Sequence, residues 1–175
     1  MELQLNRITS PIGEMLLVTD EQGTVRALDF TNNVARLTRK LFDRYSEINL
    51  REGPSESAKR IVERVDDYFK GDLRALDNIA VANQGSELQR KTWSALRKIP
   101  AGTTTTYGEL ARSLGFRNPR MAKEVGAAIA ANPVAVIVPC HRVIGKDGSL
   151  KGFAWGLQRK QYLLTHEKAD AFLGP

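Results

Sequence analysis

The chain of 175 residues contains one cysteine and two histidines. A lone cysteine excludes an internal disulfide, and one cysteine with two histidines cannot supply the Cys/His tetrad of a structural zinc site. No apolar run is long enough to span a membrane. The start, Met1-Glu2-Leu3-Gln4-Leu5, lacks the basic stretch and apolar core of a signal peptide. A reduced, cytoplasmic setting with no membrane partner is therefore expected. There is no repeat and no low-complexity tract. At 42% hydrophobic, the sequence can bury a real core as one large domain or two small ones.

The single cysteine lies in Val138-Pro139-Cys140-His141-Arg142-Val143-Ile144, directly before an imidazole. A thiol is nucleophilic only as its thiolate, which a nearby proton acceptor or cation favours. Taken alone, the Cys-His pair is equally compatible with a buried structural cysteine, a residue type that is often inside. The flanks argue for reactivity. Residues 132–139 form a short apolar run between prolines that reads as one buried strand or extended segment delivering Cys140 to the edge of a core. Ile144-Gly145-Lys146-Asp147-Gly148-Ser149-Leu150 carries a turn signal, so a hairpin is expected to fold back over the thiol.

Net charge is +6, unevenly spread. Residues 1–85 carry 12 Lys/Arg against 14 Asp/Glu, whereas residues 86–175 carry 14 against 6. The half that holds Cys140 is thus the basic one and suits a polyanion, nucleic acid first, although a solvated basic surface gives the same count.

Periodicity divides the chain into an N-terminal α/β domain, 1–85, and a C-terminal domain, 86–175. Residues 3–30 alternate around turn signals at 10–13 and 20–23 and predict a three-stranded meander. Helices are predicted near 34–45 and 55–70, with a short strand at 79–82. Capping boxes at Ser86-Glu87-Leu88-Gln89 and Thr106-Tyr107-Gly108-Glu109 open two further helices, and Pro119 suits the first turn of a third running to about Ala131. Two helices joined by a tight turn, then a strand and a hairpin, make a winged helix-turn-helix pattern; the fold class is α+β.

The second helix of that pair, Met121-Ala122-Lys123-Glu124-Val125-Gly126-Ala127-Ala128-Ile129-Ala130-Ala131, offers small residues where major-groove readers carry Arg, Gln and Asn. Such a smooth face suits close minor-groove docking with little sequence reading, and equally suits packing against another helix.

With these residues in view, the sequence resembles the O6-alkylguanine-DNA alkyltransferases, or methylated-DNA–protein-cysteine methyltransferases. The match runs in order through Leu88-Gln89, Trp93, Leu96, Ile99-Pro100-Ala101-Gly102, Tyr107-Gly108-Glu109-Leu110-Ala111, Val125-Gly126, Asn132-Pro133, 139–145, Gly152-Phe153, Gly156 and Lys160 to Glu167. The resemblance implies a single-turnover methyltransferase of DNA repair. An alkylated guanine is flipped out of double-stranded DNA and its alkyl group moves from the exocyclic oxygen to Cys140. His141 is then the base acting through a water, Glu167 the carboxylate orienting it, and Asn132 the brace of the active-site turn. Tyr107 corresponds to the tyrosine that contacts the flipped base, and Val143, Phe153, Ala154 and Trp155 to the pocket lining. Lys123, Ala122 and Arg142 fall at the DNA surface. No metal or other cofactor is implied, O4-alkylthymine is a further candidate substrate, and a monomer is the default.

Four positions depart from the family pattern. Lys123 takes the place of an arginine finger and cannot stack as a guanidinium does. Glu124 puts a carboxylate on the groove-facing helix, and Phe153 replaces a common tyrosine. Trp155, where many members have glycine, fills volume that a bulky alkyl group needs. Two other readings stay open at this stage: a non-catalytic damage sensor related to the family, and a cysteine hydrolase using Cys140 and His141. His166 reads as a helix-surface residue and Trp93 as core.

Overall fold

Strong alternation at the N-terminus produces the expected meander: β1 (Glu2–Ser10), β2 (Gly13–Asp20) and β3 (Val25–Phe30) pair antiparallel in sequence order. This computed structural model describes residues 1–169. Opposite faces of the sheet carry alternate residues. Leu3, Leu16, Val18 and Ala27 share one face and form a core cluster with Leu37, Leu41 and Tyr45. The first two of those three lie on α1 (Val34–Arg44), and Tyr45 is its C-cap. Helix α2 (Glu56–Phe69), capped by the Ser55 hydroxyl accepting from Ala58 N–H, packs on β1 and β2 and buries Ile61, Val65 and Tyr68. Both helices match the spacing of their apolar residues.

The sheet has a fourth strand that the pattern does not predict. β4 (Asn49–Glu52) pairs parallel to β1, giving the order β3-β2-β1-β4. All four of its residues are exposed, so it carries no alternation to read. The strand expected at 79–82 shrinks to a single bridge between Val25 and Val81. A second bridge joins Leu28 to Val134, with Leu28 N–H donating to Pro133 and Ala135 N–H to Leu28. The outer edge of β3 is thereby occupied, which protects an otherwise open row of backbone groups.

The chain divides into two compact units, Met1–Gln84 with Pro133–Ile137, and Gly85–Asn132 with the chain from Val138 onward. Pro133–Ile137, expected in the C-terminal domain, thus belongs to the first unit.

In the second unit, α3 (Glu87–Leu96) and α4 (Tyr107–Ser113) each start at a complete capping box, on Ser86 and Thr106. Gly115, at φ +90°, ends α4 with two bonds of a Schellman turn, Phe116 N–H to Ala111 and Gly115 N–H to Arg112. Helix α5 (Met121–Ala130) packs on both α3 and α4. Trp93 is buried and donates its indole N–H to Ala128 O at 2.9 Å, so it is core, as its sequence context suggests. Residues 114–120 join α4 to α5, a longer connection than a tight turn.

The expected buried strand and hairpin take a different form. Residues 132–145 are buried throughout, but the only strand among them is β6 (Val143–Ile144). It pairs parallel with β5 (Thr105–Thr106) rather than folding back on a second wing strand. The turn signal after it does close, through Gly145 N–H to Ser149 O at 2.7 Å. Helix α6 (Leu157–His166) is the last helix of the described residues, and His166 stacks on Tyr162 along it.

Candidate active site

Cys140 is presented by a pair of tight turns. Pro139, at φ −83° and ψ 64°, has inverse γ-turn geometry, and Cys140 N–H donates across it to Val138 O at 2.8 Å. Asn132, fully buried, donates its side-chain N–H to the same carbonyl at 2.9 Å. Val138 O therefore ties the end of α5 to the cysteine turn. Cys140–Arg142 then form one 3₁₀ turn, and all three residues are buried. Four positions before the cysteine, Val136 holds φ +67°, a conformation that a β-branched residue adopts only when its surroundings impose it.

The imidazole of His141 lies fully buried with Nε2 2.8 Å from Glu167 Oε1. Glu167 is the C-cap of α6, fixed by Lys168 and Ala169 N–H groups that return to Thr165 and Leu164. Its carboxylate also accepts two bonds from Arg142, Nε to Oε2 at 2.9 Å and Nη2 to Oε1 at 2.8 Å. Burial alone would raise this carboxyl. The charge and hydrogen bond of His141 and the Arg142 fork outweigh it and hold Glu167 far below the ordinary carboxylate range. Burial lowers the His141 imidazole below its usual 6.5, against the pull of Glu167. The two directions are compatible: the Arg142 fork keeps the carboxylate ionised even when the imidazole is neutral.

That electrostatic arrangement selects a tautomer. An ionised carboxylate only accepts, so the neutral imidazole donates Nε2–H to Glu167 and leaves its lone pair on Nδ1. Nδ1 is buried and has no hydrogen-bond partner among the described residues. It is the ring nitrogen left available to accept a proton.

Arg142 corrects one expectation. Expected at the DNA surface, it is instead buried, with its third bond running from Nη1 to Ile99 O. The guanidinium is a clamp on Glu167, and its sequence neighbours within the buried 132–145 run are the signal for that.

Sequence reasoning missed the role of Lys160. It is fully buried, and its ammonium donates to the carbonyls of Val143 at 2.6 Å, Leu150 at 3.0 Å and Gly152 at 3.5 Å. Burial lowers its pKa to about 8, opposed by negative charge on Cys140. The available signal was spacing, since Lys160, Leu163 and Leu164 share one buried face of α6. Tyr107, half-buried at the start of α4, is raised by burial and then by the charge of Cys140. Gly126 on α5 faces that ring, and a Cβ there would meet it at 3.6 Å, an ordinary van der Waals contact.

Among the expected pocket residues, Val143 contributes the carbonyl that Lys160 holds. Phe153 and Trp155 meet edge to face at 5.1 Å, and the Lys160 ammonium lies 5.9 Å from the Phe153 ring centre. Trp155 is buried and Ala154 exposed. On α5, Lys123 and Glu124 are exposed and Ala122 is partly so; none of them bonds to the buried array. No three His, Cys, Asp or Glu side chains among the described residues cluster to hold a metal ion.

A buried cysteine followed by a carboxylate-oriented imidazole, on a unit built around a helix pair, describes a protein that uses a thiol nucleophile. Residues 87–169 match the family model described as 6-O-methylguanine DNA methyltransferase, DNA binding domain. A methylated-DNA–protein-cysteine methyltransferase of Salmonella typhimurium is 39% identical over 95% of this chain and 96% of its own length. That of Methanosarcina acetivorans is 39% identical over 90% and 94%. The O6-methylguanine methyltransferase structure of Mycobacterium tuberculosis superposes with a TM-score of 0.75 at 32% identity, covering 95% of this chain and 93% of that one. A structure of the same organism's protein in complex with DNA gives 0.77 at 31%, covering 98% and 99%. The chain belongs to the methylated-DNA–protein-cysteine methyltransferase family.

Proposed function

We propose that this protein repairs DNA by direct reversal, moving the alkyl group of an O6-alkylguanine onto Cys140 in one irreversible turnover. The observation that carries the reading is the hydrogen-bonded His141–Glu167 pair directly after the buried cysteine. His141 Nδ1 takes the thiol proton, through a water in the family reading, and Cys140 Sγ attacks the alkyl carbon. A carbon–sulfur bond forms as the carbon–oxygen bond breaks, and the electron pair leaves on the guanine oxygen. The proton held on His141 balances the one that restores neutral guanine. The thioether has no second cysteine to pass the group on.

In this reading Asn132 braces the turn, Glu167 sets the imidazole tautomer, and Tyr107 sits against the extruded base. Val143, Phe153, Ala154 and Trp155 line the base and alkyl pocket, Ala122 and Lys123 meet the duplex, and the working form is a monomer. Neither the sensor nor the hydrolase reading is favoured. A non-catalytic sensor has no use for a poised acceptor, and the relatives' names are those of transferases.

Intact-mass measurement after mixing with a duplex carrying one O6-methylguanine tests the function. The expected gain is one CH2 unit, mapped to Cys140, with Cys140→Ser still binding duplex but gaining nothing. Transfer surviving in that variant overturns the mechanism.

A further inference from the structure

The N-terminal unit contains a cavity of about 280 Å³ that alkyl transfer to Cys140 does not use. Its wall is the face of α2 that carries Arg60 and Arg64, with Arg74 and Asn78 from the segment after that helix. Ile61 and Ile79 form an apolar floor; both are buried. At one end Gly23, at φ +81°, brings the β2–β3 turn so near α2 that a Cβ would lie 2.9 Å from Ser57 O. A residue with a side chain would disturb that closure.

The charge of the lining is one-sided. Three of the lining residues are arginines and none is a carboxylate, in a half of the chain whose net charge is negative. Arg74 has a weak partner in Asp77 at 3.4 Å, on an exposed side chain. Arg60 and Arg64 make no ion pair or hydrogen bond among the described residues. Glu56, Glu63 and Asp67 border the next face of the same helix, beside both arginines, yet none bonds to either. Like charges one turn apart work against a helix, and an anion between the two guanidiniums at i and i+4 above the cavity would relieve that repulsion. Guanidinium forks fit the tetrahedral oxygens of a phosphate bidentately, and the two isoleucines offer a flat apolar surface beside it.

We propose that this cavity binds a phosphate ester, as found in a nucleotide or in the backbone of a nucleic-acid strand. Arg60 and Arg64 hold the phosphate oxygens, Arg74 adds charge at the rim, and Ile61 and Ile79 support the organic part of the ester.

The test follows backbone amide resonances of the full-length protein during three titrations: inorganic phosphate, a deoxynucleoside 5′-monophosphate, and a short undamaged duplex. Saturable shifts at Gly23 and at 57–64 are expected with the monophosphate, weakened at least tenfold in Arg60→Ala/Arg64→Ala. Both side chains are outside the core, so the variant's remaining spectrum should be unchanged, and Arg60→Lys/Arg64→Lys should retain part of the affinity. If the duplex shifts the same amides at lower concentration, strand phosphates are the source; if only the monophosphate does, the ligand is a free nucleotide. The proposal is overturned if none of the three shifts these amides saturably, or if the alanine variant binds as tightly as the parent. Methyl transfer to Cys140 is measured alongside, so that failure here is distinct from failure of the repair reading.

Discussion

Glu167 Oε1 lies 2.8 Å from His141 Nε2, and this one bond decides which imidazole nitrogen is a base. Because the carboxylate is already held ionised by Arg142, it accepts a hydrogen bond from the imidazole Nε2–H and leaves Nδ1 bare. Glu167→Gln removes the charge that enforces this arrangement. Transfer is expected to slow by about 10–100-fold, the range for losing an orienting partner, with duplex affinity nearly unchanged. The structure adds a stability cost: Arg142 stays buried without its counter-ion, worth about 3–5 kcal/mol. Single-turnover rates, duplex binding and thermal unfolding of the pair read all three. An unchanged transfer rate removes Glu167 from the site.

The depressed His141 fixes the sign of a pH effect. A neutral base is needed, and burial keeps this imidazole neutral below the 6.5 at which an ordinary histidine titrates. Transfer should therefore stay level as pH falls through 6.5 and drop only at lower pH. Stability behaves differently. Below 6.5 the unfolded chain binds a proton that the folded one refuses, so stability declines as pH falls, and Glu167 adds to the loss below the ordinary carboxylate range. Rate and unfolding profiles recorded on the same samples should separate. A rate that halves at 6.5 would mean an exposed base.

Lys160 is expected to act on the thiol and on the segment that closes over it. Its ammonium is a buried positive charge that interacts with the charge of Cys140, and its three carbonyl bonds hold Val143, Leu150 and Gly152 together. Lys160→Met should reduce transfer and increase hydrogen exchange across 143–152. In the parent, transfer should fall as pH rises through about 8, where Lys160 loses its proton. Linkage gives stability the opposite trend: the unfolded chain keeps this proton up to 10.5, so stability rises between about 8 and 10.5. A methionine variant that retains the alkaline limb assigns the limb to another group.

What the sequence made legible follows from where the signal is local. The meander, α1, α2 and both capping boxes rest on short-range alternation or on a side chain meeting a backbone N–H three residues away, and all appear. β4 was invisible because four exposed residues have no pattern, and its pairing partner, β1, is over forty residues distant. The continuous apolar run at 132–139 told of burial but not of conformation, as apolar runs in general do not separate strand from turn. The same limit applied to the polar members of the site. Cys140, His141, Asn132 and Glu167 could be assigned through family resemblance. That Arg142 turns inward and Lys160 spans three carbonyls depends on charges being buried, which no local spacing specifies.

Lys123 stands exposed on α5 with no bond to the active-site array. A role confined to base extrusion predicts that Lys123→Arg speeds and Lys123→Ala slows repair of duplex DNA, while the free alkylated base reacts with all three proteins alike. Lysine offers charge without a planar face, so the arginine gain should come from stacking in the emptied base position. Parallel changes on both substrates would place Lys123's influence on the fold or the thiol.

Trp155 is buried and meets Phe153 edge to face, so the indole is part of the packed wall and not a surface residue. If that wall lines the alkyl pocket, as proposed, a benzyl group needs the volume that the indole occupies, whereas a methyl group does not. Overfilling a packed site costs about 1–3 kcal/mol, or about ten- to a hundredfold in rate, and that cost should fall on benzyl transfer alone. Trp155→Gly is therefore expected to raise the ratio of benzyl to methyl transfer by at least about tenfold. The same substitution deletes a large buried side chain and should lower stability by about 3–5 kcal/mol, so both rates are compared well below the melting temperature. The ratio, not either rate, is the decisive quantity, because loss of packing slows both reactions and cancels. An unchanged ratio in a folded glycine variant would mean that the indole packs behind Phe153 and takes no part in admitting the alkyl group.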